Sequence, residues 1–298
     1  MKKVKISFAF IMAFAMLFGM ISPGSADGLL VVREAVVLQD TLYYLTNHDG
    51  VIWKMEYPNA PPEQVLNIRE YDDILSHTGI HPSMVLTADE ECLYLLDERY
   101  QTLWEIQDGT LVEKVKLDFS DLGAYTDPQD ENSYYISFFG NVTIVDDYLY
   151  MCIEDYPDYE NEYLYRFSLK DGSREKIEVI PDNKCKYTRP YKDGQILVET
   201  WSQVTYIYDP ILNTATPFID YPIRYSGLTY NPKTDRLYYF DLDTFREYRK
   251  GAEDEIIFGV SGEPGYGVGY TAMWQDLILA HYGGHLYTFE TVNNYIYE

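Results

Sequence analysis

The sequence predicts an all-β chain, a six-bladed β-propeller of four-stranded antiparallel blades. Three observations carry this expectation. A short phrase, a polar turn running into an apolar-aromatic strand, recurs six times along the chain. Each copy is followed by a second strand containing an aromatic residue. Helical periodicity is nearly absent, while 31 tyrosines supply side chains that fit a pleated, half-buried surface.

The recurring phrase spans Asp40–Leu45, Glu91–Leu96, Asp147–Met151, Gly194–Val198, Asp235–Phe240 and Gln275–Leu279. Its leucines, Leu42, Leu93, Leu149, Leu197, Leu237 and Leu277, are 51, 56, 48, 40 and 40 residues apart. Such a period matches one propeller blade of about 40–50 residues. The aromatic strand follows at Val51–Met55, Thr102–Ile106, Tyr163–Phe167, Val204–Tyr208, Phe245–Tyr248 and His285–Phe289. Trp53 and Trp104 are 51 residues apart, like Leu42 and Leu93, so they should occupy equivalent third-strand places against a neighbouring blade. Turn formers such as Asn47–Gly50 and Tyr282–Gly284 join these strands.

After the aromatic strand the chain turns at Asp108-Gly109 and Asp171-Gly172 into charged segments, Leu111–Leu117 and Arg174–Ile180. Charge suits an edge strand because it blocks pairing between molecules. Apolar segments ahead of each phrase, including Ala35–Leu38, Ser83–Thr87 and Gly267–Met273, should line the centre. Pro62–Tyr71 is the best helical candidate, but it is short and lacks a sustained 3.6-residue period. Two ways of closing the ring stay open: Leu29–Val32 pairing into the last blade, or closure by the terminal strand at Tyr295–Glu298 alone.

Residues 1–26 read as a secretory signal, with three lysines in Met1–Lys5, an apolar run over Ile6–Ile21 and small residues at Ser22–Ala26. The propeller domain should fill residues 27–298 of a secreted or cell-surface protein. The whole chain carries −25, and removing three lysines leaves −25 − 3 = −28. That charge argues against nucleic acid and anionic lipid as partners, and it favours a self-repelling monomer. Cys92, Cys152 and Cys185 make a poor disulfide framework, since an odd number leaves at least one thiol over. Cys92 and Cys152 fall in apolar strand patterns, where a thiol packs as a small hydrophobe.

Leu164-Tyr165-Arg166-Phe167-Ser168-Leu169-Lys170-Asp171-Gly172-Ser173 resembles the blade wording of the bacterial DUF5050 and TolB-like six-bladed propellers. Tyr44-Leu45-Thr46-Asn47 is distantly similar to the Tyr-Trp-Thr-Asp signature of lipoprotein-receptor propellers, at two of four positions. The resemblance implies a six-bladed ring with a non-catalytic role in binding or scaffolding. It carries over no functional residues, because the shared wording builds blades. Comparable propellers also form N-terminal regions of exported solute-binding proteins.

No His-Glu-x-x-His, Gly-x-Ser-x-Gly or phosphate-cradling Gly-Lys-Ser/Thr motif is present. Gly262–Gly269 is glycine-rich but leads into a strand rather than a helix, so it reads as a loop. The acidic stretches Asp127–Glu131 and Asp155–Glu162 read either as solvated loops or as a loose Ca²⁺ site. Loop tyrosines, Tyr100, Tyr156 and Tyr266 among them, offer flat apolar area to a sugar or peptide. His48, His77, His81 and His281 should share one loop face, with Asp49, Asp72 and Asp73 nearby. Chance placement in polar loops competes with a ligand site there, one that would take Zn²⁺ or bind in a pH-dependent way.

The expected function is therefore an exported, non-catalytic propeller binding an extracellular protein, peptide or glycan through one loop face. Two alternatives stand beside it. One is a Ca²⁺-dependent lactonase-like or polysaccharide-acting enzyme. The other is an accessory propeller of a larger solute-binding protein. No cofactor is required by the first reading.

Overall fold

The computed structural model describes residues 32–46, 50–57, 60–71, 84–97, 101–119, 122, 125–127, 130–135, 142–154, 161–181, 184–202, 204–219, 228–231, 234–241, 244–259, 268–274, 277–282, 285–290 and 295–297. The expected signal segment, Leu29–Val31 and the loop at 262–267 lie outside them.

Strands follow one another with the regularity the repeat demands. The first blade holds β1 (Val32–Leu38), β2 (Thr41–Thr46), β3 (Val51–Met55) and β4 (Glu63–Asn67). The second holds β5 (Met84–Ala88), β6 (Leu93–Asp97), β7 (Thr102–Gln107) and β8 (Thr110–Lys116). A two-stranded hairpin, β9 (Tyr125–Asp127) and β10 (Asp130–Tyr135), is interposed before the third blade. That third blade holds β11 (Thr143–Val145), β12 (Tyr148–Glu154), β13 (Glu162–Ser168) and β14 (Arg174–Ile177). The fourth holds β15 (Cys185–Pro190), β16 (Ile196–Thr200), β17 (Thr205–Asp209) and β18 (Thr214–Ile219). The fifth holds β19 (Thr229–Asn231), β20 (Arg236–Asp241), β21 (Thr244–Glu247) and β22 (Glu255–Gly259). The last sheet runs β23 (Val268–Trp274), β24 (Leu277–Tyr282), β25 (His285–Glu290) and β26 (Tyr295–Tyr297).

Each four-stranded sheet is antiparallel with its strands in chain order. First strands touch in series from β1 to β5, β11, β15, β19 and β23, and β23 returns to β1. This is a β-propeller of four-stranded antiparallel blades. Side chains are described in five of the blades; the last sheet is described in its backbone, with Trp274 and Leu277 also placed.

Second strands lie deepest. Every residue of β6 and of β16 is buried, whereas β8 is mostly exposed. A second strand is covered on both faces by neighbouring blades, so it reads as a continuous apolar run rather than an alternating one. Hairpins turn on Asp40, Asp108, Asp146, Asp193, Asn213 and Asp235, all with positive φ. Asp and Asn tolerate that left-handed conformation because the short polar side chain bonds locally. Between third and fourth strands a register shift recurs at Ile52/Trp53, Leu103/Trp104, Thr205/Tyr206 and Phe245/Arg246. Such bulges increase twist, which fans the outer strands around the ring.

Several expectations are corrected. Pro62–Tyr71 is not a helix: β4 occupies Glu63–Asn67, and only Ile68–Tyr71 forms a 3₁₀ turn. Cys92 lies one residue ahead of β6 and is half-buried, because Asp89 Oδ1 accepts from its N–H at 2.6 Å and bends the chain there. First strands are less apolar than expected. Thr87, Thr143, Thr188 and Thr229 are all buried and stand in register opposite Tyr94, Tyr150, Val198 and Tyr238. Thr87 Oγ1 donates to Val142 O at 3.3 Å and Thr188 Oγ1 to Tyr150 O at 3.4 Å, so these hydroxyls stitch one blade to the next.

Trp53 and Trp104 do occupy equivalent third-strand places, opposite Tyr44 and Leu95. Trp104 is 8% exposed and packs in a cluster with Leu45, Ile52 and Leu66 of the first blade. Trp53 is only half-buried and packs with Trp274 of the last sheet. Among the described residues, no helix is long and apolar enough to cross a membrane.

Candidate functional site

In antiparallel blades, turns between second and third strands leave from the same end as connections from a fourth strand to the next first strand. At that end of the third and fourth blades the structure gathers charge and aromatic rings. Glu162 opens β13, Glu199 nearly closes β16, and Lys186 and Arg189 lie on β15. Glu162, Glu199 and Arg189 are all buried.

Local chain geometry explains the arrangement. Register slips between Cys185 and Tyr187, so Lys186 sits at a bulge in β15. Lys184, just ahead of that strand, makes an isolated parallel β-bridge through its backbone to Glu162 of the third blade. Its carbonyl also accepts from Trp201 N at 2.8 Å. The turn after β16 is closed by Thr200, whose Oγ1 donates to Val204 O at 2.7 Å and accepts from Val204 N at 3.3 Å. Trp201 is thereby fixed at the rim, 42% exposed. Lys186 Nζ lies 4.1 Å from the centroid of the Trp201 ring and 4.8 Å from that of Tyr187. The Arg189 guanidinium lies 5.9 Å from the Tyr187 ring.

Electrostatics follow from burial. Desolvation pulls the Lys186 ammonium below the usual lysine range, and the carboxylates of Glu199 and Glu162 oppose it. The rings add cation–π attraction for the same ammonium. The result is a rigid aromatic surface backed by two carboxylates and two cations. Its exposed indole can stack against a flat apolar face.

A concavity of about 780 Å³ lies between the first and second blades. Tyr43, Lys54, Glu63, Cys92, Glu105 and Gln107 contribute to its wall. Lys54 pairs with Glu63 at 3.1 Å, and Gln107 Nε2 donates to Glu105 at 2.6 Å. That bond, helped by Lys114 at 3.4 Å, lowers the Glu105 carboxyl below its usual range.

Of the expected site residues, His48, Asp49, Asp72, Asp73, His77, His81, Tyr100, Tyr156 and Tyr266 lie outside the described residues. The backbone of His281 is in β24, paired with Tyr270 and Leu286. Among the described residues, no group of three or more His, Cys, Asp or Glu side chains could hold a metal ion. The acidic stretch Asp127–Glu131 contributes its ends to the β9–β10 hairpin, with Asp127 opposite Asp130. Sequence reasoning missed Lys186, Arg189, Glu199 and Trp201. Their signal was present as charge inside strand patterns, Lys186 and Arg189 in a first strand and Glu199 in a second.

No protein-family model matches the chain, and no curated protein matches it. Solved structures do. Virginiamycin B lyase from Staphylococcus aureus superposes with a TM-score of 0.51 at 12% identity, covering 90% of this chain and 83% of the lyase. A catalytically inactive histidine-to-alanine form of that lyase with quinupristin gives a TM-score of 0.51 at 12% identity, covering 90% and 84%. The computationally designed Ika8 protein matches with a TM-score of 0.44 at 10% identity, covering 86% of this chain and 69% of that one. At such identities the likeness to the lyase defines the class of fold, a β-propeller.

Proposed function

We propose that this chain is an exported, non-catalytic propeller, six-bladed and DUF5050/TolB-like, that binds an extracellular protein, peptide or glycan through the rim of its third and fourth blades. The observation that carries this reading is Trp201, 42% exposed yet held by a backbone bond to Lys184 and by the Lys186 ammonium over its ring. A large aromatic surface pinned in place loses little entropy on binding, which is what recognition surfaces exploit. The signal-like segment at residues 1–26 supports export, and the net charge of −25 supports a self-repelling monomer.

Binding arrays of cello- and chito-oligosaccharides and of lysine-rich peptides test the proposal, with wild type and Trp201→Ala compared. We expect saturable binding by wild type, weakened at least tenfold in the variant and insensitive to EDTA. Equal binding by the two proteins would overturn the assignment of the rim. Loss of binding on chelation would transfer support to the metal-dependent alternative.

A further inference from the structure

Cys152 and Cys185 belong to different blades, yet both are buried in one core cluster with Leu164, Ile177, Ile196 and Val198. Both lie along one inter-blade seam. β12 and β15 are neighbours across the blade boundary, and Thr188 Oγ1 meets Tyr150 O where they cross. From that crossing Cys152 is two residues onward along β12, and Cys185 three residues back along the antiparallel β15. The bulge at Lys186 absorbs the extra residue. A parallel backbone bridge between Glu162 and Lys184 clamps the same corner. Cys92 packs against a separate cluster between the second and third blades. None of the three forms a disulfide in this structure.

We propose that Cys152 and Cys185 are a cross-linking site: oxidised by a disulfide-exchange partner, they form one bond that ties the third blade to the fourth. The chemistry balances with a disulfide oxidant of the glutathione or dithiol-oxidase class. The Cys152 thiolate attacks one oxidant sulfur, forming a mixed disulfide and releasing one thiolate. Cys185, deprotonated in turn, attacks the Cys152 sulfur and expels the second thiolate. The pair gives up two protons and two electrons, and the oxidant disulfide becomes two thiols.

Timing follows from burial. Both sulfurs are shielded from solvent, and burial pushes the Cys152 thiol well above its usual range. Exchange needs a thiolate, so the bond forms while the blades are closing and resists reduction afterwards. It closes a loop of 185 − 152 = 33 residues across an inter-blade seam, restricting the unfolded chain. Proximity of these cysteines belongs to the ring and not to the local sequence, which is why Cys152 reads by itself as a packing thiol and nothing in the sequence pairs it with Cys185.

The test refolds the full chain in reduced and oxidised glutathione, then alkylates it under denaturing conditions with and without prior reduction. We expect one alkylated cysteine, Cys92, before reduction and three after it, with a peptide mapping Cys152 to Cys185. Three alkylated cysteines before reduction, or a link involving Cys92, would overturn the proposal. The melting temperature of wild type should fall by about 5 °C or more after reduction under denaturing conditions and refolding without oxidant. Cys152→Ser should melt at the same temperature with or without oxidant; should that variant fail to fold, the wild-type alkylation count decides alone.

Discussion

Trp274 Nε1 donates a hydrogen bond of 3.0 Å to the carbonyl oxygen of Asp40, joining residues 234 positions apart. Trp274 ends the first strand of the last sheet, and Asp40 lies in the first hairpin of the chain. The indole is 2% exposed and packs with Val32, Ala35, Leu42 and Tyr44. This contact closes the ring, and among the described residues the last sheet is completed by its own β26.

Closing the ring should dominate stability. Trp274→Phe keeps most of the apolar area but removes the N–H and part of the ring, so it should cost about 1–2 kcal/mol. Trp274→Ala also opens a cavity and should cost about 3–5 kcal/mol. Urea unfolding measures both, and a Trp274→Phe variant as stable as wild type would show that the hydrogen bond contributes nothing.

The two equivalent tryptophans should separate in the same assay. Trp104→Ala should cost about 3–5 kcal/mol, as for a fully packed ring. Trp53 is half-buried, so its truncation should cost less by at least about 1 kcal/mol. Equal losses would mean that Trp53 is as well covered as Trp104.

Two glycines distinguish collision from backbone strain. Gly172 has φ +72°, and a Cβ there would drive into the carbonyl of Lys116 in the preceding blade. Gly251 has φ +76° with nothing within 4 Å of the same position. Gly251→Ala should cost about 1–2 kcal/mol, the strain of a left-handed residue. Gly172→Ala should cost distinctly more, because two blades must separate. Matching melting temperatures for the two variants would contradict this blade contact.

Alkali should unfold the protein through its buried phenols. Tyr208 is pushed up to about 12, by burial first and by neighbouring Tyr150. Burial likewise raises Tyr94, Tyr150 and Tyr238 above the usual phenol value. The unfolded chain releases these protons near pH 10, and the fold holds them to higher pH. Stability from this source is complete below pH 10 and is lost as pH rises through about 12. Melting temperatures across pH 8–12, with absorbance following phenolate, should fall together in that window.

Blade order was legible from sequence because each blade repeats one local pattern. Val51–Met55 was bounded correctly because Gly50 and the aromatic Trp53 mark it. Pro62–Tyr71 showed neither a helical nor a strand period because a short edge strand and a 3₁₀ turn run together there. Trp201 escaped notice because its fixation depends on Lys184 and Lys186, which reach it only when β15 pairs with β16. Pairs such as Cys152 and Cys185, or Trp274 and Asp40, come from ring geometry that no local window contains.

Indole N–H signals test the central claim directly, since the chain holds four tryptophans and Trp201 stands at the proposed binding rim. In a ¹⁵N–¹H spectrum titrated with an oligosaccharide or peptide that binds, the Trp201 indole should shift in a saturable way. The signals of Trp53, Trp104 and Trp274 should stay in place. A Trp201 signal that stays fixed at saturating ligand, while another indole moves, would contradict recognition through the rim of the third and fourth blades.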